Sequence, residues 1–177
     1  TYVGGESDFG TIFKLRTNGS SFSVLRSFSG SDGKYPFSGL LLQGGKLYGT
    51  TEYGGDNNVG TVYRLNPDGS EHTVLYSFIG IGSYPRGGLV SDGNRLFGTT
   101  YQGGPGSTYG VVYALDANGS NYAVLKYCNS TDGGNPEGDL TLSGLTLYGT
   151  TSLGGTLNVG TIFRVNIDGS GFVRMAS

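Results

Sequence analysis

The sequence predicts an all-β protein of the β-propeller type, built from repeated units that each fold into a four-stranded antiparallel blade. Glycine accounts for 35 of the 177 residues and stands at fixed offsets between short runs of Val, Ile, Leu, Tyr, Phe and Thr. This composition is typical of many short strands joined by tight turns. A repeat of about 50 residues, with four strand-like runs in each copy, completes the prediction.

A five-residue motif of Leu, an aromatic residue, Gly and two Thr marks the repeat. It occurs at residues 47–51, 96–100 and 147–151, and the chain starts within a further copy, because Thr1 aligns with Thr51. The four equivalent threonines are spaced by 50, 49 and 51 residues. Units of this kind bury their apolar faces against their neighbours.

The second repeat shows the four predicted strands, at residues 39–43, 46–51, 60–65 and 72–78. Gly-Gly, Asp-Gly, Ser-Gly or Asn-Gly pairs stand in the short connections between the first and second and between the third and fourth strands, which is the signature of tight hairpins. Apolar residues occupy adjacent positions of the third strand, as in Val62 and Tyr63. We therefore expect both faces of this strand to be covered, as neighbouring blades would do.

The two remaining connections of each repeat are longer, as at residues 53–59 and 79–87. In an up-and-down blade, alternate connections lie at the same end. Both long loops are therefore expected on one face of the disc, here termed the long-loop face, and both hairpins on the other. Binding residues most often lie on longer loops that a rigid scaffold holds in place.

The repeats predict a single array over residues 1–177, with a half-blade at 1–28 and blades at 39–78, 88–128 and 138–177. The chain thus holds about three and a half blades, whereas a closed propeller needs at least four. We expect either that the chain is a segment of a longer repeat protein or that other copies of it cover its open ends.

The Gly-Thr-Thr part of the motif has a structural interpretation. No Lys and no helix signal follow Gly49, so neither the charge nor the dipole of a phosphate-binding loop is present. We expect Gly49 to permit close backbone approach where blades converge. The two threonines are expected to favour the strand and to bond to adjacent turns.

The repeat as a whole, at residues 39–70, resembles the bacterial tandem-repeat family called GloVer. The resemblance rests on the Leu-Tyr-Gly-Thr-Thr motif, the Gly-Gly pair after it, the Gly-Thr-Val-Tyr-Arg-Leu strand and the closing Asp-Gly-Ser turn, which recur in register over essentially the whole chain. It implies a propeller-like fold in exported surface proteins with varied C-terminal anchors. It implies no established activity.

Charge and composition exclude several classes of protein. The formal net charge is −2 and the Lys and Arg residues are scattered singly, so no basic patch for nucleic acid or an anionic membrane is present. No apolar run approaches the roughly 20 residues that a membrane-spanning helix needs. Cys128 is the only cysteine and stands where other repeats have Phe28 and Phe78, so we expect a small buried apolar residue.

Three sequons, at Asn18, Asn118 and Asn129, would permit N-glycosylation in a eukaryotic secretory pathway. Two of them coincide with the Asn-Gly-Ser turn of the repeat. The other two repeats have Asp-Gly-Ser there, so turn formation alone explains the pattern.

Catalytic residues are not predicted. His72 is the only histidine and no Ser or carboxylate recurs beside it, which excludes nucleophilic triads and zinc sites. A glycosidase needs only two carboxyls about 5 to 10 Å apart, and acidic residues do lie in or beside the long loops: Glu6, Asp8, Asp32, Asp56, Asp132, Glu137 and Asp139. They are scattered over different blades beside turn glycines, which favours turn formation. No metal or cofactor is predicted. The alternative is a structural calcium ion, although the sequence contains no dedicated calcium-binding loop.

Ligand-binding side chains are predicted on the long-loop face: Tyr53, Asp56, Asn57, Asn58, Tyr84, Arg86, Tyr101, Asn135 and Glu137. Tyrosine rings beside amides and carboxylates are typical of sugar or peptide recognition. We therefore predict a non-enzymatic, extracellular or cell-surface module for binding or assembly. Its expected partners are other copies of itself, the remainder of a longer repeat chain, or glycans. A glycan-binding lectin is the first alternative and a carbohydrate-active hydrolase the second.

Overall fold

The computed structural model describes residues 1–106 and 108–177, and all regular secondary structure among them is β-strand. In chain order the strands are β1 (Thr11–Lys14), β2 (Ser23–Ser27), β3 (Leu41–Gln43), β4 (Lys46–Thr51), β5 (Thr61–Leu65), β6 (Thr73–Ser77), β7 (Gly82–Ser83), β8 (Val90–Ser91), β9 (Arg95–Thr100), β10 (Gln102–Gly103), β11 (Val111–Asp116), β12 (Ala123–Tyr127), β13 (Thr141–Ser143), β14 (Thr146–Thr151), β15 (Thr161–Asn166) and β16 (Val173–Ala176).

The strands form blades in which sequence neighbours pair antiparallel. β1 and β2 make a half-blade, β3 to β6 the second blade, and β13 to β16 the fourth blade. The third blade contains β8, β9, β11 and β12. The predicted fold class, four-stranded antiparallel blades of the propeller type, is confirmed.

The long loops pair with one another, which the sequence did not predict. β7 pairs with β10 at the junction between the second and third blades. Isolated bridges join Lys34 to Tyr53 and Gly134 to Leu153 at the equivalent places of the other two junctions. Main-chain hydrogen bonds therefore join each segment that crosses from one blade to the next to the long loop of the following blade.

The hydrophobic core lies between the blades. Tyr63 and Leu65 of β5 pack with Ile12 of the half-blade, whereas Val62, the residue directly before Tyr63, packs with Tyr113 of the third blade. All five side chains are at most 4% exposed. An equivalent cluster lies between the third and fourth blades. The adjacent apolar positions of the third strand thus serve two different boundaries, as predicted.

The motif glycine lies opposite an aromatic residue of the third strand in each complete blade. The cross-strand pairs are Gly49 with Tyr63, Gly98 with Tyr113, and Gly149 with Phe163. A Cβ atom on Gly98 would lie 2.5 Å from the hydroxyl oxygen of Tyr113. The expectation that Gly49 serves an approach between blades is wrong, because an aromatic ring of the same blade fills the space beside it.

The second threonine of the motif bonds to the turn that follows it, as predicted. The Thr51 hydroxyl donates to the carbonyl oxygen of Tyr53 at 2.8 Å, and its oxygen lies 2.8 Å from the hydroxyl oxygen of Thr61. Thr151 and Thr161 repeat the hydroxyl pair at 2.9 Å. These bonds join the end of the second strand to the start of the third.

Two apolar faces of the array are open. Phe13, the equivalent of the buried Tyr63, is 44% exposed, and Ile162, the equivalent of the buried Val62, is 48% exposed. Leu15 is exposed beside Phe13 in sequence, and Met175 lies on β16 of the fourth blade. We term the first surface (Phe13 and Leu15) the half-blade face and the second (Ile162 and Met175) the fourth-blade face.

Replacing Gly98 with Ala is expected to lower the free energy of unfolding by about 1–3 kcal/mol, because the added methyl group would overlap the Tyr113 ring. Urea unfolding followed by circular dichroism measures the change. Gly39→Ala is the matched control, since no heavy atom lies within 4 Å of the position that its Cβ would take. Equal effects of the two substitutions would contradict the proposed role of the glycine.

Candidate functional site

A repeated turn before proline fixes the crossings on the long-loop face. Tyr35, Tyr84 and Asn135 each directly precede a proline and have φ angles of 59°, 61° and 56°. Positive φ is uncommon for residues other than glycine, so it needs support from surrounding bonds. The Tyr84 N–H donates to the carbonyl of Val59 at 2.8 Å, and its own carbonyl accepts from the Tyr101 N–H at 3.0 Å. The side chains of these loops therefore project from fixed main-chain positions.

Four tyrosine rings form a continuous row on this face. Tyr2 stacks on Tyr35 with ring centroids 4.8 Å apart, and Tyr35 meets Tyr53 edge-on at 5.9 Å. Tyr53 lies 4.9 Å from Tyr84. We term Tyr2, Tyr35, Tyr53 and Tyr84 the tyrosine row. It crosses two blade junctions and combines apolar ring surface with polar hydroxyl groups.

Three charged side chains, Glu52, Arg86 and Glu137, adjoin the tyrosine row and are termed the charged cluster. The Arg86 Nε donates to Glu52 at 2.8 Å, and its Nη1 donates to Glu137 at 3.3 Å. The guanidinium carbon lies 3.8 Å from the centre of the Tyr101 ring. The Tyr2 hydroxyl donates to the second Glu52 oxygen at 2.8 Å, which links the row to the cluster.

Burial differs among these groups. Glu52 is 2% exposed, whereas the Arg86 side chain is 24% exposed. Partial burial alone would lower the pKa of Arg86, but the hydrogen bond and the negative charge of Glu52 outweigh it and raise that pKa. Desolvation, and then the hydrogen bond to Glu52, raise the pKa of Tyr2 to about 12. Arg86 is therefore charged and Tyr2 is a hydrogen-bond donor at neutral pH.

The structure brings five of the predicted binding residues into two groups. Tyr53 and Tyr84 meet in the tyrosine row. Tyr101 and Glu137 meet around the guanidinium of Arg86. Both groups lie on the long-loop face.

Three members of the two groups were not predicted: Tyr2, Tyr35 and Glu52. Tyr35 occupies the position of Tyr84 in the repeat, so repeat alignment could have identified it. Glu52 has no acidic equivalent in the other repeats, and its partner Arg86 is 34 residues away. No sequence signal connects the two.

The remaining predicted residues are amides and one carboxylate. Asn135 is buried, and its side-chain nitrogen donates to the carbonyls of Tyr101 at 2.9 Å and Thr108 at 3.0 Å. The Asn57 amide donates to the Phe78 carbonyl at 3.2 Å. The structure places Asp56, Asn57 and Asn58 in the turn at the tip of the second-blade long loop. Asn135 and Asn57 thus hold the loops in shape.

Two of the loop carboxylates, Asp32 and Asp132, hold the loops to neighbouring strands. Asp32 accepts hydrogen bonds from the Ser29 N–H at 2.8 Å and from Arg26 Nε at 3.0 Å. Partial burial would raise the pKa of Asp32, but these bonds outweigh it and lower the pKa overall. The equivalent Asp132 pairs with Lys126 in the same way. Both pairs tie the fourth strand to the loop that leaves it.

His72 packs among aromatic rings. Cys128 is only partly buried, so the expectation that it would be buried like its equivalents Phe28 and Phe78 is wrong. The His72 ring lies 6.0 Å from that of Phe28 and 5.4 Å from that of Tyr63, and burial lowers the pKa of His72. The ring is therefore neutral at pH 7. Burial also raises the pKa of the Cys128 thiol to about 12, so the thiol is protonated.

The three sequon asparagines differ in position. Asn18 and Asn118 are exposed in hairpins on the face opposite the long loops. The side-chain oxygen of Asn129 accepts from the N–H groups of Thr131 at 2.8 Å and Asp132 at 2.7 Å, which fixes a turn.

Two further observations concern residues 1–106 and 108–177 only. Nowhere among them do three His, Cys, Asp or Glu side chains gather in a way that could hold a metal ion. They also contain no helix with the length and apolarity needed to cross a membrane.

Comparison with protein families identifies the repeat. The Gloeobacter/Verrucomicrobia repeat profile matches residues 1–177, so the resemblance seen in the sequence is confirmed. No curated protein sequence matches the chain.

Solved structures show the same fold. A chain of the nidogen/laminin complex superposes with a TM-score of 0.69 at 17% identity, over 97% of this chain and 58% of that one. TolB from Acinetobacter baumannii superposes with a TM-score of 0.59 at 17% identity, over 93% of this chain and 37% of that one. The chain therefore spans about half of the propeller structures that it matches, and at this identity the likeness concerns the fold alone.

Replacing Arg86 with Met should lower the free energy of unfolding by about 3 kcal/mol, because the buried Glu52 carboxylate would lose its charged partner. Urea unfolding gives the value, and Glu52→Gln in the same chain should recover part of it. The control is Lys46→Met, which breaks a pair with the exposed Glu71 and a hydrogen bond to Asn66 and should cost clearly less. An Arg86 effect no larger than the Lys46 effect would refute a structural role of the charged cluster.

Proposed function

Since this chain belongs to the Gloeobacter/Verrucomicrobia repeat family, we propose that it is a non-enzymatic β-propeller repeat module that assembles with further blades outside the cell. One observation carries the proposal. Side chains that are buried at every blade boundary within the chain are exposed on the half-blade face and on the fourth-blade face. Exposed apolar surface of this kind marks interaction sites.

The two open faces are complementary by position. At the boundaries inside the chain, Val62 packs with Tyr113, and Val112 packs with Phe163. Ile162 on the fourth-blade face is equivalent to the two valines, and Phe13 on the half-blade face is equivalent to the two aromatic residues. The fourth-blade face of one copy therefore fits the half-blade face of another, or of a further repeat in a longer chain. Such head-to-tail contacts build rings or open arrays.

The test of assembly uses light scattering over a range of concentrations. The chain should associate as its concentration rises, and both Phe13→Glu and Ile162→Glu should weaken this association, because each places a charge in an apolar contact. A mixture of the two variants should form heterodimers that grow no further, since each retains one intact face. Leu145→Glu, at an exposed residue between β13 and β14, is the matched control.

Three outcomes would overturn this proposal. The unaltered chain could stay monomeric at every concentration, the Leu145 variant could lose association equally, or the mixture could fail to pair. Circular dichroism of each variant shows whether it is folded, so that loss of association is not confused with loss of structure.

Ligand binding on the long-loop face is the second candidate function, favoured by the contact between the tyrosine row and the charged cluster. Tyrosine rings offer apolar surface to a sugar ring or an extended peptide, while their hydroxyl groups and the carboxylate of Glu137 offer directional hydrogen bonds. Glycans are the ligand class that we propose for this face.

A glycan array followed by calorimetry on the strongest ligand tests this second function. Tyr53→Ala and Tyr84→Ala should each weaken binding by about tenfold, equivalent to about 1.4 kcal/mol. Tyr127→Ala removes an exposed tyrosine from the outer strand β12 and should leave the affinity unchanged. No binding to any glycan, or equal effects of all three variants, would count against the tyrosine row as a glycan site.

The remaining parts of the proposal have separate support. The extracellular location rests on the resemblance to repeats of exported surface proteins. The non-enzymatic character is supported by the way loop carboxylates are used, since Asp32 and Asp132 hold loops through ion pairs and Asp139 accepts from the Gly88 N–H.

A further inference from the structure

We propose that the two Asn-Gly-Ser turns, at Asn18 and Asn118, are sites of spontaneous deamidation, in which asparagine is converted to aspartate without an enzyme. The turns join the third and fourth strands of the half-blade and of the third blade, on the face opposite the long loops. Both asparagines are exposed. The proposal is independent of assembly and of ligand binding.

The turn geometry favours attack on the side-chain amide. The Asn18 Oδ1 accepts hydrogen bonds from the Ser20 N–H at 3.0 Å and the Ser20 hydroxyl at 2.7 Å. At Asn118, the same bonds from Ser120 measure 2.9 Å and 2.7 Å. The side chain is thus folded back over the following peptide unit. Two donors point at the oxygen that becomes negative when a nucleophile adds to the amide carbon, as in an oxyanion hole.

The nucleophile is the main-chain nitrogen of the glycine. It forms a bond to the asparagine Cγ, the Cγ–Nδ2 bond breaks, and ammonia leaves with the proton that the glycine nitrogen releases. The product is a five-membered succinimide ring, which water opens to aspartate or isoaspartate. Glycine has no Cβ to obstruct ring closure, and water is the only co-reactant.

One main-chain hydrogen bond in each turn opposes the reaction and limits its rate. The Gly19 N–H donates to the Arg16 carbonyl at 2.8 Å, and the Gly119 N–H donates to the Asp116 carbonyl at 2.8 Å. The glycine nitrogen must leave this bond before it can attack, so local opening of the hairpin controls the rate. Exposed hairpin tips open more readily than buried strands.

The aspartate product fits the turn, because two repeats already contain it. Asp68 accepts from the Ser70 N–H at 2.9 Å and from the Ser70 hydroxyl at 2.6 Å, and Asp168 makes the same bonds with Ser170. Hydrogen bonds from the serine lower the pKa of both aspartates, so a new aspartate at this position would be ionised. Each conversion adds one negative charge to a chain whose formal net charge is −2.

Other asparagines serve as internal references. Asn18 and Asn118 are the only asparagines that precede glycine. Asn135 precedes proline, which has no N–H to act as a nucleophile. Asn129 precedes serine, and its amide nitrogen donates to Asp132 at 2.8 Å, which restrains the side chain.

The test uses the full chain, produced in a host without N-glycosylation and incubated at mildly alkaline pH. Its intact mass and peptide maps are recorded during the incubation. We expect a gain of one mass unit at Asn18 and at Asn118, with label uptake from ¹⁸O water, and slow or no gain at Asn129. Gly19→Ala adds a Cβ in open space, but the φ of 80° at this position strains an alanine, so circular dichroism must show that the variant is folded. This variant should slow conversion of Asn18 by about tenfold and leave Asn118 unchanged. Ser20→Ala should slow conversion of Asn18 by a few-fold, because it removes the hydroxyl donor to the Asn18 oxygen.

Two results would overturn the proposal: conversion at Asn18 and Asn118 no faster than at Asn129, or an Asn18 rate unaffected by Gly19→Ala. The fit of the product is tested separately with the Asn18→Asp and Asn118→Asp double variant. Its thermal midpoint should match that of the unaltered chain, and a clear loss of stability would contradict the comparison with Asp68 and Asp168.

Discussion

The packing of an aromatic ring from the third strand against the motif glycine of the second strand is the contact on which each complete blade depends. Tyr63 fills the space beside Gly49, and the same ring packs with Ile12 across the boundary to the half-blade. One residue pair thus determines the shape of its own sheet and the surface offered to the preceding blade. A side chain on the glycine would displace the ring from both contacts, which is why the motif repeats without variation at this position.

Features with a local physical cause could be predicted from the sequence. The strand Lys46–Thr51 was predicted with its observed bounds, because turn glycines precede and follow it. The two-residue strands β7 and β10 could not be predicted, because they carry no periodicity and pair only once two blades are in place. The site follows the same rule. Loop length placed Arg86 on the long-loop face. Its partner Glu52 could not be identified from the sequence, because the two residues meet only when different repeats pack together.

The charged cluster also shows that the face proposed for ligand binding contributes to the stability of the fold. Tyr2 belongs to the half-blade, Glu52 follows the second strand of the second blade, Arg86 leads into the third blade and Glu137 leads into the fourth. The network therefore connects the four parts of the array. Substitutions within it will alter the stability of the fold as well as any affinity, whereas Tyr53 and Tyr84 lie outside these ion pairs and separate the two effects.

The free energy gained by covering the two open faces indicates how the proposed assembly would depend on whether the repeats are joined in one chain. Burying an apolar side chain completely stabilises by about 1.5–3 kcal/mol, and each face offers partly exposed apolar side chains, Phe13 and Leu15 on one and Ile162 and Met175 on the other. Association of separate molecules costs about 4–15 kcal/mol in lost freedom of motion. A contact between separate copies is therefore weak and depends on concentration. In a chain of linked repeats the same contact would lose less freedom of motion, because the linker supplies a millimolar effective concentration. Under the proposed assembly, tandem repetition is thus a physical means of strengthening a weak contact between blades.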